Sequence, residues 1–173
     1  MADFDWPWEY NFPPFFTLQP NNETRTRQLT VWNNLTRNYY KHRNQSSLDI
    51  NEDSPLFCNN ALKRRLPTEG RLAVMEHLQG TGHAAPLDKR RTNWQVYWHT
   101  LDEWAKIIYD WSQRTGQTNS VCTIYEISNG DNSVGEEFHE LDQDVVLKAL
   151  KLLEEQGKCE LMLFDDSQGV KFF

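Results

Sequence analysis

Along residues 23–43 the apolar side chains Leu29, Trp32, Leu35 and Tyr39 recur near the spacing of one helical face, and Asn21 and Asn22 stand where a helix cap belongs. Residues 47–50 alternate polar and apolar and read as a short strand; Ser54-Pro55 marks a turn. Residues 61–66 read as a short helix ended by Pro67. Residues 68–79 read as a longer helix with Leu72, Met75 and Leu78 inward, stopped by Gly80 and Gly82. Two extended pieces, 84–87 and 94–99, flank the run Asp88-Lys-Arg-Arg-Thr-Asn93, a β-hairpin with a basic tip.

The pattern then restarts. Thr100-Leu-Asp-Glu103 is a capping box, and Trp104, Ile107, Ile108 and Trp111 follow at i, i+3, i+4, i+7, an amphipathic helix ended by Gly116. Residues 121–127 are apolar and β-branched and predict a strand closed by Asn129-Gly130. Residues 136–141 predict a short helix. Val146, Ala149, Leu150 and Leu153 define another helix, stopped by Gly157, and residues 159–164 and 169–173 a terminal hairpin around Asp165-Asp166-Ser167-Gln168.

The two halves align at a shift of 75 residues: Leu72 with Leu147, Met75 with Leu150, Leu78 with Leu153, Gly82 with Gly157, and Tyr97-Trp98 with Phe172-Phe173. Each half runs helix, strand, short helix, longer helix, hairpin, the order of a winged helix, and such repetition implies a duplicated unit. The expected fold class is mixed α+β: two tandem winged-helix domains, residues 21–100 and 101–173, preceded by a strip at residues 1–20.

That strip is unlike the rest. Its first sixteen residues hold Phe4, Trp6, Trp8, Tyr10, Phe12, Phe15 and Phe16, interrupted by Pro7, Pro13 and Pro14. Proline fixes φ, removes a donor and biases its predecessor to extended geometry, so an extended or polyproline-like display of apolar rings is expected. It needs an apolar surface to lie on, either this chain's own core or another protein's groove. Aromatic anchors dominate interface energetics, and each buried ring contributes on the order of 2 kcal/mol from area alone.

Hydrophobic residues make up 38% of the 173, enough for packed cores. Net charge is −7, unevenly placed: residues 1–100 carry 12 Lys+Arg and 10 Asp+Glu, residues 101–173 carry 6 and 15. The acidic balance argues against nucleic acid or anionic lipid as the main partner. Neither long domain helix is a basic stripe, and Lys63-Arg64-Arg65 and Lys89-Arg90-Arg91 read as solvated faces. A winged-helix nucleic-acid regulator is the alternative reading. Cys58, Cys122 and Cys159 suit reduced thiols in a cytosolic setting. A secretory signal and a membrane span are not expected, nor is a metal site or a cofactor: no metal-ligand spacing or phosphate loop occurs. Glu136, Glu137 and Glu140 surround His139, a grouping that could position a general acid and base. It follows a polar loop and reads as solvated, so catalytic residues are not expected.

The strip Trp6-Pro7-Trp8-Glu9-Tyr10, followed by Phe12-Pro13-Pro14-Phe15-Phe16-Thr17-Leu18-Gln19-Pro20, resembles the opening of the smallest subunit of ESCRT-II, the endosomal sorting complex required for transport II. So do Ser54-Pro-Leu-Phe57, Gly116-Gln-Thr-Asn-Ser120 and the ending Gly169-Val-Lys-Phe-Phe173, and the resemblance runs over nearly the whole chain. It implies tandem winged helices used for protein contact, two copies of which join one copy each of two larger subunits. It implies a non-catalytic adaptor in sorting ubiquitinated cargo into multivesicular bodies, cytoplasmic and brought to endosomal membranes through partners. Carried over, the docking residues are Trp6, Pro7, Trp8, Tyr10, Pro13, Pro14, Phe15 and Phe16, of which Pro13, Pro14 and Phe16 match a Pro-Pro-x-Phe pattern. In that family the second winged helix recruits an ESCRT-III subunit, charged multivesicular body protein 6. Here that half is the acidic one, and Glu136, Glu137, Asp142 and Asp144 are the expected surface for a basic helix of that partner.

Overall fold

Asn21 accepts a hydrogen bond from the Thr24 amide and so starts helix α1 (Asn22–Arg43), with Lys41, His42 and Arg43 in the last turn where the helix dipole favours cations. The computed structural model describes residues 3–163 and 168–173, and in it the chain divides into two units, Met1–Trp98 and His99–Phe173. The first continues with β1 (Ser47–Asp49), a two-residue ladder of β2 (Cys58–Asn59) and β3 (Arg64–Arg65), α2 (Thr68–Gly80), β4 (Ala84–Pro86) and β5 (Asn93–Val96). Its sheet runs β1-β5-β4, all antiparallel. The second holds α3 (Leu101–Arg114), β6 (Val121–Thr123), α4 (Ile124–Asn129), α5 (Gln143–Glu155), β7 (Cys159–Leu163) and β8 (Gln168–Phe172), with sheet order β6-β8-β7. The first strand of each unit thus pairs with the last, which places a helical layer against a three-stranded wing.

The repeat is visible in the geometry. α2 and α5 occupy the same bounds at a shift of 75, and both are followed by a glycine in the left-handed region, Gly82 at φ 80° and Gly157 at φ 74°. Met75 and Leu150 are fully buried, as are Leu78 and Leu153, whereas Leu72 and Leu147 are half-buried. The hairpins differ in one respect. Ala84 faces Val96, but Cys159 faces Phe172, so the second hairpin is one residue longer and Val96, not Tyr97, is the counterpart of Phe172. The strand core agrees: Trp94 and Val170 pair with Leu48 and Cys122 at equivalent sites, and both are buried. Asp165-Asp166-Ser167, expected at the tip, lie outside the described residues.

Three expected elements take other forms. Residues 61–66 are not a helix. A six-residue segment closed by Pro67 is too short to offset helix nucleation, and Asn59 instead accepts the Leu62 amide and turns the chain into the β2–β3 ladder. The expected strand 121–127 stops at Thr123, whose hydroxyl caps α4 through the Glu126 amide, 3.0 Å away; the Thr-x-x-Glu spacing is the local signal for it. Residues 136–141 are successive turns that bury Phe138 and Leu141, with Glu140 at φ 65°.

The first core carries a buried cation. Arg71 of α2 has no exposed surface, and its guanidinium donates to the carbonyls of Leu66 (2.7 Å), Ile50 (3.0 Å) and Glu52 (3.1 Å) and to the Asp53 carboxylate (2.7 Å). All three guanidinium nitrogens are used on the 50–66 connection, whose regular structure is otherwise the short β2–β3 ladder.

Candidate protein-docking surface

The strip is neither free nor uniformly extended. Two single 3-10 turns, Trp8–Asn11 and Pro13–Phe16, interrupt it, and Pro13 opens the second, where its missing donor is not needed. The extended geometry expected from the prolines survives at Pro7 (φ −68°, ψ 158°) and Phe12 (φ −104°, ψ 108°).

The first unit stitches the strip down through its backbone. Gln28 of α1 donates to the carbonyls of Phe15 (3.0 Å) and Thr17 (2.8 Å) and accepts from the Gln19 amide (3.0 Å). Trp32 adds its indole N–H to the Phe15 carbonyl at 3.1 Å. On the other side, Asn59 donates to the Tyr10 carbonyl (2.7 Å), and the Tyr10 hydroxyl reaches the carbonyls of Pro55 and Cys58. Burial pushes the pKa of that hydroxyl up to about 12. Ring packing completes the seam: Phe15 stacks on Trp32 at 4.1 Å, Phe16 meets the same indole edge-on at 5.6 Å, and Trp6 stacks on Tyr10 at 3.9 Å.

The eight carried-over residues therefore divide. Tyr10, Phe15 and Phe16 are buried in their own unit, Phe16 with only 2% of its surface exposed. Trp6 and Pro7 are half-buried. Trp8, Pro13 and Pro14 face outward, Trp8 with 70% of its surface exposed. Phe12, absent from the carried-over set, is 48% exposed and lies 5.8 Å from Trp8, centroid to centroid. A mostly apolar groove of about 390 Å³ runs beside them, walled by Trp8, Phe12, Pro14, Arg27 and Val31. Sequence spacing does not separate inward from outward rings here, because a 3-10 turn has three residues per turn and the strip switches geometry twice within a few residues.

In the second unit Glu136 and Glu137 lie on the turns before α5, and Asp142 and Asp144 at its start. Each has a partner within the chain. Arg114 donates to Glu136 (3.0 Å), and that pairing raises the guanidinium's pKa; Glu137 meets His99 Nε2 at 2.5 Å. Asp142 caps α5 through the Asp144 amide (2.9 Å), and Asp144 pairs with Lys148 (3.4 Å). Glu137, Asp142 and Asp144 are exposed and Glu136 is half-buried, and all four also serve this fold.

The chemistry considered from sequence finds no assembled centre among the described residues. His139 Nδ1 lies 2.8 Å from the hydroxyl of Ser133, which is completely buried and also donates to the Gly130 carbonyl, a turn lock rather than an exposed nucleophile. Burial pushes all three thiols up, Cys159 to about 11, away from the thiolate form. Among the described residues no cluster of His, Cys, Asp or Glu has metal-binding geometry, and no helix is long and apolar enough to cross a membrane.

Two repeated winged helices and a ring-bearing strip half sunk into the first define a tandem winged-helix protein with an apolar, outward-facing N-terminal surface. Comparison with known proteins carries this to a family. The model of the ESCRT-II complex subunit matches residues 9–142. The chain is 57% identical to vacuolar protein-sorting-associated protein 25 of Drosophila melanogaster over the full length of both chains, and 45% identical to that of Homo sapiens over 98% of each. The crystal structure of subunit VPS25 of the endosomal trafficking complex ESCRT-II superposes with a TM-score of 0.89 at 25% identity, covering 96% of this chain and 98% of that one. A chain in the crystal structure of the endosomal complex ESCRT-II (VPS22/VPS25/VPS36) gives 0.83 at 26% identity, over the same shares. The chain belongs to the vacuolar protein-sorting-associated protein 25 family of ESCRT-II subunits.

Proposed function

We propose that this chain is a non-catalytic adaptor of ESCRT-II that sorts ubiquitinated cargo into multivesicular bodies and docks on the two larger subunits through its N-terminal strip. The observation that carries the reading is the division of the strip: its backbone and inner rings are fastened to the first unit, while Trp8, Phe12, Pro13 and Pro14 are held outward. Ordering those rings in the free protein removes much of the entropic cost of presenting them, and exposed aromatics beside an apolar groove suit a protein partner. The solved relative crystallised with VPS22 and VPS36 supports partners of that kind. In this reading Trp8, Phe12, Pro13 and Pro14 touch the partner, Trp6 and Pro7 flank the contact, and Tyr10, Phe15 and Phe16 fix the strip from beneath.

The second winged helix, in the same proposal, recruits the ESCRT-III subunit charged multivesicular body protein 6 and starts ESCRT-III assembly on endosomal membranes. Its support is the acidic balance of residues 101–173 and the exposure of Glu137, Asp142 and Asp144, with Glu136 half-buried beside them. The chain itself works from the cytoplasm and meets the membrane through partners.

A pull-down of the larger subunits tests the strip. Trp8→Ala/Phe12→Ala, which removes exposed rings, is expected to abolish capture with an unchanged melting curve. Retained capture by the folded variant sinks the docking role. Charge reversal at Glu137 and Asp144 separately tests the second surface: unchanged binding of charged multivesicular body protein 6 at low salt refutes it.

A further inference from the structure

On the inner flank of the strip lies a second, chemically different cavity of about 510 Å³. Its aromatic wall is the stacked Trp6–Tyr10 pair, and its rim includes Asn60 and Lys63 of the turn between β2 and β3 and Arg64 and Arg65 of β3 itself. The one carboxylate in the lining, Asp53, is engaged by Arg65 at 3.1 Å and by buried Arg71 at 2.7 Å. Lys63 and Arg64 are exposed and make no ion pair among the described residues. Lys63 sits at φ 54°, in the left-handed region, in a turn closed by its own amide to the Asn60 carbonyl (3.2 Å) and by Leu62 to Asn59. The two uncompensated cations therefore stand over a concave surface, Lys63 on a defined turn and Arg64 at the start of β3.

We propose that this cavity receives an acidic peptide segment of a protein docked on the strip, with single Glu or Asp carboxylates meeting Lys63 and Arg64. The proposal rests on the strip being a docking element, since Trp6 and Tyr10 of that strip wall the cavity. Charge selects the occupant. Adjacent carboxylates on an extended chain match two separate cations, and an Arg fork takes a carboxylate edge-on. With Asp53 already engaged by Arg65 and Arg71, the attraction comes from Lys63 and Arg64. Complementarity at such an exposed site acts mostly on encounter rate and specificity.

The test uses the full chain and a fluorescein-labelled peptide of alternating Glu and Ser, read by anisotropy at low and physiological salt. Saturable binding is expected, weakened about tenfold by Lys63→Glu/Arg64→Glu, as two exposed charge pairs imply. Lys89→Glu/Arg90→Glu, the same charge change on the first wing tip, is expected to leave it intact. Equal loss in both variants, or no binding by wild type, overturns the proposal. So does binding of inositol hexakisphosphate or a phosphoserine peptide without binding of the Glu peptide. Trp8→Ala/Phe12→Ala is expected to retain peptide binding, so failure of the docking role and failure of the cavity are read separately.

Discussion

The two winged helices share a frame and differ in what fills it. At the position of Arg71 in α2, α5 carries Val146, and both are fully buried. Leu66 and Leu141, just before each helix, are buried alike. The second unit closes its core with aliphatic and aromatic groups and a short helix, α4. The first has no helix there; a guanidinium collects the carbonyls of an irregular connection, and rings from the strip complete the packing on α1. The buried set of α1 itself includes Gln28, Asn33 and Thr36. Gln28 is turned inward because a strip of backbone lies across the helix and its polar groups must be satisfied. The two units share helix, glycine and wing positions, while the connection in the first serves as a platform for the strip.

The largest effect is expected from Arg71→Met. It leaves the carbonyls of Ile50, Glu52 and Leu66 without their donor, and is expected to cost the first unit about 3–5 kcal/mol, as loss of one partner from a buried ionic network does. Urea unfolding followed by residue-specific probes in each unit reads it, and a cost below about 1 kcal/mol would remove the guanidinium from its central role.

Next in size is the strip. Phe16→Ala is expected to cost the first unit about 3–4 kcal/mol, in the range of buried Phe truncations. Trp8→Ala, near it in sequence, is expected to stay within about 0.5 kcal/mol because its ring is exposed. Equal costs would mean that the strip does not distinguish inner from outer rings.

Alkali is expected to loosen the seat of the strip on the first unit. Burial raises the Tyr10 hydroxyl to about 12 and raises Tyr40 as well. A pKa raised on folding means that the native state prefers the neutral phenol. The associated stability is fully present below the unfolded value near 10 and is lost as pH climbs through the folded one. Strip fluorescence should change between those pH values, and Tyr10→Phe should reduce the change; an identical titration in the variant would locate the effect elsewhere.

The smallest effect is the cap of α5. Asp142→Ala is expected to cost the second unit about 1 kcal/mol with no partner present, since its carboxylate holds a helix amide. Thermal unfolding of the variant measures it, and no loss of stability would leave Asp142 free for recognition alone.

Reading along the chain was enough for the repeat, the four longer helices, both wings and the capping box at Thr100, because each is written in local periodicity, caps and glycines that act over one or two turns. The family resemblance was legible too, in the strip's aromatic and proline spacing. Tertiary structure decided the rest. The segment 61–66 is helical by composition yet becomes a ladder, because Leu66 N–H finds the Phe57 carbonyl (2.8 Å) and Arg71 gathers the connection from across the core. Which rings of the strip turn inward was settled by Gln28, Trp32 and Asn59, residues 13 to 49 positions away in sequence from the Phe15 and Tyr10 carbonyls they bind. Local propensity acts between neighbours, whereas a buried carbonyl or ring takes its place from whichever distant group completes its hydrogen bond or fills the space beside it.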